Sequence, residues 1–182
     1  MVAVFKFTER FSSVSYFRQA LSAKDVPTAE TNIFKALSLN WNDLYLRTHA
    51  QIEMIKLNSE VAGKPELTDE ELKILQGVLD QAINSAEAAT IYNHTNQMNF
   101  RILGNVYDLA GYLGVPGAYV KATESYRAAS SLSPGNPGIK LLIARATWAA
   151  NEKANAKEYA KEALSVKPNY IEAMLFLAQA FK

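Results

Sequence analysis

The residues able to do chemistry are few and widely separated along this chain. It has two histidines, His49 and His94, and no cysteine. Metal binding and nucleophilic catalysis need such groups, or carboxylates, at defined spacings, and neither histidine has a carboxylate partner in a motif of that kind. The acidic run 69–71 stands where a helix begins, and the helix dipole favours acids there. We predict no enzyme, no catalytic residue, no metal site and no cofactor.

Composition removes further classes of function. The chain has 19 basic and 18 acidic residues and a net charge of +1, so little long-range attraction to nucleic acid or to an anionic membrane is expected. The hydrophobic share of 49% is that of a folded protein. No apolar run approaches the roughly 20 residues that cross a bilayer. The lack of cysteine excludes disulfides but leaves the compartment open.

Apolar spacing predicts helices along the whole chain. Leu72, Leu75 and Leu79 are typical of it, since they recur every three or four residues. Asp25 and Thr68 are predicted N-terminal caps, and prolines fall where the pattern breaks. We predict about nine helices, over 4–23, 26–39, 43–62, 69–92, 97–113, 117–131, 138–151, 154–165 and 169–181.

The sequence repeats itself with a fixed period. One set of positions recurs 34 residues further on, which pairs Ala122, Tyr126, Ala129 and Pro134 with Ala156, Ala160, Ala163 and Pro168. An earlier copy lies over 29–41 and a weaker one over 82–92. A second motif lies in the preceding helix and comprises Phe100, Leu103, Gly104 and Tyr107.

Together these motifs resemble the tetratricopeptide repeat signature of an aromatic, Leu-Gly and Tyr, followed by Ala and Pro in the next helix. The resemblance implies an all-α solenoid of antiparallel helix hairpins in one domain over 1–182. Its copies would lie at about 9–42, 43–96, 97–135 and 137–169, with a final unpaired helix at 169–182. Gly104 and Ala122 would lie where the two helices of one hairpin approach closely.

The same resemblance implies a non-catalytic scaffold that binds a protein or peptide in a concave groove. In this family the first helix of each hairpin lines the groove, and its exposed positions can be read from the register. They are Tyr45, Thr48 and Ile52 in the second copy, Met98, Arg101, Asn105 and Asp108 in the third, and Leu141, Arg145 and Trp148 in the fourth. A helical-repeat RNA binder is disfavoured by the near-neutral charge and the apolar groove positions.

One ligand class of this family is not expected. Chaperone-binding members hold a terminal carboxylate with lysine, arginine and asparagine on successive repeats. Arg101 and Asn105 match the first positions, but the later ones hold Leu142, Glu172 and Phe176. Because Glu172 has the wrong charge, we predict that a free carboxyl terminus confers no advantage on a bound peptide.

The last predicted helix is apolar on nearly every side. Since a repeat stack normally finishes with a polar outer face, we expect either a longer native chain or self-association. Self-association would form a homodimer through Met174, Leu175, Phe176 and Phe181. An alternative function follows from a weaker resemblance of residues 36–47 to the soluble repeat tails of bacterial O-antigen ligases and polysaccharide polymerases. The chain would then be the regulatory or assembly tail of a membrane enzyme, reaching the bacterial membrane only indirectly.

Overall fold

The computed structural model describes residues 2–64 and 67–181, and this part of the chain forms nine α-helices and no strand. The predicted all-α architecture is therefore confirmed, with boundaries within two residues of those expected. The helices are α1 Val2–Leu21, α2 Val26–Leu39, α3 Asp43–Val61, α4 Asp69–Tyr92, α5 Gln97–Tyr112, α6 Ala118–Leu132, α7 Pro137–Ala149, α8 Lys153–Val166 and α9 Ile171–Ala180.

Short polar side chains start several of these helices. The Asp25 carboxylate accepts the backbone N–H of Thr28 at 2.8 Å, and Pro27 occupies the first turn of α2. Thr68 and Glu71 form a reciprocal capping box at the start of α4. Each satisfies backbone donors that the helix itself leaves unpaired, so both predicted caps are confirmed.

The chain divides into two compact units, Met1–Asn93 and His94–Lys182, which we call the N-terminal and C-terminal units. In the N-terminal unit α1 packs on α2, α2 on α3, and α3 on α4. The core of this unit includes the fully or almost fully buried side chains of Ile33, Ala36, Leu46 and Ala89.

In the C-terminal unit α5 packs on α6, α6 on α7, α7 on α8, and α8 on α9. Small residues let these helices approach closely. A Cβ added at Gly104 on α5 would overlap the ring of Tyr126 on α6. The sequence predicts close approach of the two helices at Gly104 and Ala122. The structure places the Tyr126 ring against Gly104, and Ala122 is fully buried.

Candidate functional site

The N-terminal unit has a cleft of about 420 Å³ between the end of α1, the start of α2 and the middle of α3. We call it the α1–α3 cleft. Most of its lining is apolar, and the residues are Ala20, Leu21, Ala23, Lys24, Asp25, Val26, Ala29, Thr48, Gln51, Ile52 and Ile55.

Two kinds of apolar side chain make up this cleft. Ala20 and Ile52 are buried and form its floor, whereas Leu21 and Ile55 are 63% and 58% exposed. Small side chains at Ala20, Ala23 and Ala29 leave the space open, because a larger side chain on any of them would fill it. The result is a recess whose rim presents aliphatic surface to solvent.

Two polar side chains of the cleft, those of Thr48 and Asp25, form local hydrogen bonds. The hydroxyl of Thr48 donates to the carbonyl of Leu44 at 2.9 Å. Hydrogen bonds from Thr28 lower the pKa of Asp25, so this carboxylate stays ionised at neutral pH beside Lys24. A ligand therefore meets an apolar interior with one charge of each sign at the mouth.

The structure places the predicted groove residues of α3 in two environments. Thr48 and Ile52 line the cleft, although both are buried rather than exposed as predicted. Tyr45 is only 4% exposed, its ring stacks on Phe17 of α1 at 4.6 Å, and its hydroxyl lies 3.4 Å from the hydroxyl of Ser13. The predicted exposure of Tyr45 is wrong because α1 covers this face of α3.

In the C-terminal unit, α5 and α7 carry a group of polar side chains. The fully buried Tyr126 donates its hydroxyl to the side-chain carbonyl of Asn105 at 2.9 Å, which fixes the orientation of that amide. Burial raises the pKa of Asp108, and the charge of Arg145 opposes this shift. Arg101 is half-buried and Arg145 is exposed.

Leu141 does not belong to this polar group. It is 3% exposed and packs in a core cluster with Ala144, Ala160 and Ala173. Its predicted exposure is wrong because α8 and α9 cover its side of α7.

Three aromatic rings meet where α7 and α9 come together. Trp148 contacts Phe181 with ring centroids 4.9 Å apart and Phe176 at 6.3 Å, both edge to face, and the two phenylalanines lie 6.2 Å apart. Of the residues predicted to mediate self-association, Phe176 and Phe181 thus pack within the chain, while Met174 and Leu175 are exposed. Glu172, at a predicted clamp position, is also exposed.

The N-terminal unit contains a buried polar cluster that was not predicted from the sequence. His49 Nδ1 lies 2.6 Å from the hydroxyl of Ser85, and His49 Nε2 lies 3.1 Å from Glu53, without hydrogen-bond geometry in the second contact. The four-residue spacing of His49 and Glu53 on one helix face was the available signal. All three residues are buried, so a substrate has no access to them in this structure.

Neither a metal cluster nor a membrane span is found in the part of the chain that the structure describes. No group of three or more histidine, cysteine, aspartate or glutamate side chains lies close enough together there to hold a metal ion. Across residues 2–64 and 67–181, every helix is too short or too polar to cross a membrane.

Comparison with known proteins identifies the fold. No protein-family model matches the sequence, and no curated protein matches it. Among solved structures, the chain is similar to a crystal structure of MamA, with a TM-score of 0.61, 17% identity, and coverage of 86% of this chain and 77% of that one. It is also similar to TTC0263, a thermophilic TPR protein of Thermus thermophilus, with a TM-score of 0.53, 19% identity, and coverage of 96% and 98%. The chain thus has the tetratricopeptide repeat fold predicted from its motifs.

Proposed function

We propose that this protein is a non-catalytic interaction scaffold that binds a segment of a partner protein in the α1–α3 cleft. The observation that carries the proposal is the cleft itself, an apolar recess of about 420 Å³ with charged groups only at its mouth. Recesses that bind ligands are mostly apolar with a few placed polar groups and measure roughly 300–1,000 Å³. This volume suits one or two apolar side chains of a peptide.

The rim of the cleft explains how a partner would gain affinity. Leu21 and Ile55 are each more than half exposed to solvent. Burial of their aliphatic surface by a partner would contribute about 25 cal/mol of binding free energy per Å². Because Ala20 and Ile52 are already buried beneath, the cleft needs little rearrangement to accept a side chain. Pre-formed recesses of this kind hold the anchors that dominate binding energy.

The polar face of α5 and α7 is proposed as a further set of partner contacts. The side-chain carbonyl of Asn105 is engaged by Tyr126, which leaves the amide N–H groups of Asn105 as donors for a peptide carbonyl. Asp108 and Arg145 offer one charge of each sign, and Arg101 offers a second cation. Tyr45 and Leu141 are not included, because their side chains lie in the core.

A pair of isoleucines provides the test. Random displayed peptides are selected on the wild-type protein, and the dissociation constants of the recovered peptides are measured for Ile55→Glu and Ile74→Glu. Ile74 on α4 is a matched control, since it is 55% exposed and does not line the cleft. We expect Ile55→Glu to weaken binding at least tenfold, about 1.4 kcal/mol, because the carboxylate must be desolvated against apolar surface.

Two results would contradict the proposal. One is the recovery of no peptide that binds the wild-type protein. The other is an equal effect of both substitutions, which would place the bound peptides elsewhere. Circular dichroism of both variants shows whether each retains the helical content of the wild-type protein.

The alternative function, an assembly tail of a membrane polysaccharide ligase or polymerase, gains no support from the comparisons. Neither of the similar structures described above is such an enzyme by name. The interaction scaffold is therefore the function that the cleft favours.

A further inference from the structure

A second surface in the C-terminal unit combines aromatic rings with cations. Three partly exposed aromatic residues contact one another, and we call them the aromatic cluster: Trp148, Phe176 and Phe181. Lys153 Nζ lies 5.1 Å from the centroid of the Trp148 ring, and Lys157 Nζ lies 5.3 Å from that of Phe181. Both ammonium groups are within the roughly 6 Å at which a ring attracts a cation.

Lys121 and Lys167 of the same unit also lie over aromatic rings, those of Tyr107 and Tyr170. Lys153 and Lys157 differ from these two because they stand four residues apart on one helix, beside a single cluster of rings, and they differ from two further lysines because they have no ion pair with any described residue. Lys140 Nζ forms an ion pair with Glu162 Oε2 at 2.9 Å, and Lys161 Nζ forms one with Glu158 Oε1 at 2.8 Å. No carboxylate of the described residues forms an ion pair with Lys153 or Lys157. The neighbouring Glu152 carboxylate accepts instead from the side-chain amide of Asn155 at 2.8 Å.

The spacing of the two lysines concentrates their charge. Residues four apart on a helix share one face, and like charges at that spacing repel one another. The ring contacts hold both lysines there without supplying a full negative charge. An anionic group placed between them would relieve this repulsion, while the partly exposed rings would accept apolar surface.

We propose that the aromatic cluster and these two lysines bind a partner segment that carries two carboxylates beside an apolar or aromatic side chain. The carboxylates pair with Lys153 and Lys157, and the apolar side chain covers Trp148, a residue type enriched among binding hot spots. This surface is separate from the α1–α3 cleft, and the inference does not rest on the function proposed for that cleft.

The test selects displayed random peptides on the wild-type protein after depletion on the variant Lys153→Gln/Lys157→Gln. The surviving peptides are synthesised, and their dissociation constants are measured at low and at physiological salt. Emission of Trp148 in a Trp41→Phe background reports contact with the cluster. We expect peptides enriched in paired acidic residues, about five- to tenfold weaker binding to the double variant, and weaker binding as salt rises.

Matched variants separate this role from a structural one. Lys140→Gln/Lys161→Gln removes two lysines that are already paired, and we expect binding of the selected peptides to stay within about twofold. Lys153→Arg/Lys157→Arg retains the charges and should retain binding. Ile55→Glu should leave these peptides unaffected, so failure of the cleft proposal and failure of this one are distinguishable.

Several outcomes would overturn the inference. They are the survival of no peptide, survivors without acidic enrichment, and survivors that bind the double glutamine variant as tightly as the wild-type protein. Replacing each glutamate of a surviving peptide by glutamine provides an independent check that alters nothing in the protein. If binding persisted unchanged after that replacement, charge recognition would be excluded.

Discussion

Gly104 shows how a single missing side chain sets the distance between two helices. Tyr126 is fully buried, and its hydroxyl is bound to Asn105, so its ring cannot move aside. A Cβ on Gly104 would overlap three atoms of that ring at less than 3.0 Å. The residue is therefore glycine because of the neighbouring helix and not because of its own backbone conformation.

Two glycine-to-alanine substitutions, which we expect to change the free energy of unfolding in opposite directions, test this account. Gly104→Ala should lower the free energy of unfolding by roughly 1–3 kcal/mol, because overpacking outweighs the gain in helix propensity. Gly77 on α4 has nothing within 4 Å of an added Cβ, so Gly77→Ala should raise it by about 0.5–1 kcal/mol. Urea unfolding followed by circular dichroism measures both. Stabilisation by Gly104→Ala would show that the Tyr126 ring is free to shift.

At the residue scale, the sequence predicted which positions must be small better than which positions are exposed. Gly104 follows from a motif within one hairpin. Tyr45 and Leu141 were placed on an open groove, but their burial depends on how neighbouring hairpins pack. Helical periodicity identifies the apolar face of a helix, and it does not indicate how much of the remaining surface the adjacent helices cover.

At the scale of the element, the start of α4 shows that capping signals alone can place a helix boundary. The Glu71 carboxylate accepts the backbone N–H of Thr68 at 2.8 Å and its hydroxyl at 3.0 Å, while Lys64 donates to the other oxygen at 3.0 Å. Such local signals are complete in the sequence, which explains why the capped helices could be predicted closely. No side-chain cap starts α6, α8 or α9, and their prediction rested on apolar spacing. The α1–α3 cleft could not be predicted, because it depends on how three helices pack around small side chains.

The same cap predicts a pH dependence. The hydrogen bonds from Thr68 and Lys64 lower the pKa of Glu71 from 4.5 to about 2. A lowered folded-state pKa gives stability that is present above pH 4.5 and is lost as the pH falls toward 2. The unfolding free-energy difference between wild type and Glu71→Gln should therefore be largest near neutral pH and shrink in acid. Unfolding titrations at several pH values measure this difference.

A neighbouring residue serves as the control for this prediction. Glu70 lies in the same first turn of α4 but takes no part in the capping box, so Glu70→Gln should show a smaller change with pH. An equal pH dependence for both variants would attribute the effect to the helix dipole rather than to the cap.

At the scale of the whole molecule, each of the two compact units has its own packed helices and its own candidate surface. The N-terminal unit carries the α1–α3 cleft, and the C-terminal unit carries the polar face of α5 and α7 and the aromatic cluster. The repeat motifs predicted the fold correctly. The single domain over 1–182 stays a prediction. Self-association through α9 also stays a prediction, because Met174 and Leu175 are exposed but nothing identifies what covers them.

Mapping a bound peptide onto the backbone tests the central claim most directly. Amide chemical shifts of the isotopically labelled protein are recorded while a peptide is added that was selected on the variant Lys153→Gln/Lys157→Gln, so that peptides of the aromatic cluster are not recovered. Binding in the α1–α3 cleft predicts that the largest changes fall within segments 20–29 and 48–55, which contain all the residues that line it. Changes confined to the C-terminal unit, or spread over both units without a maximum at the cleft, would contradict the account.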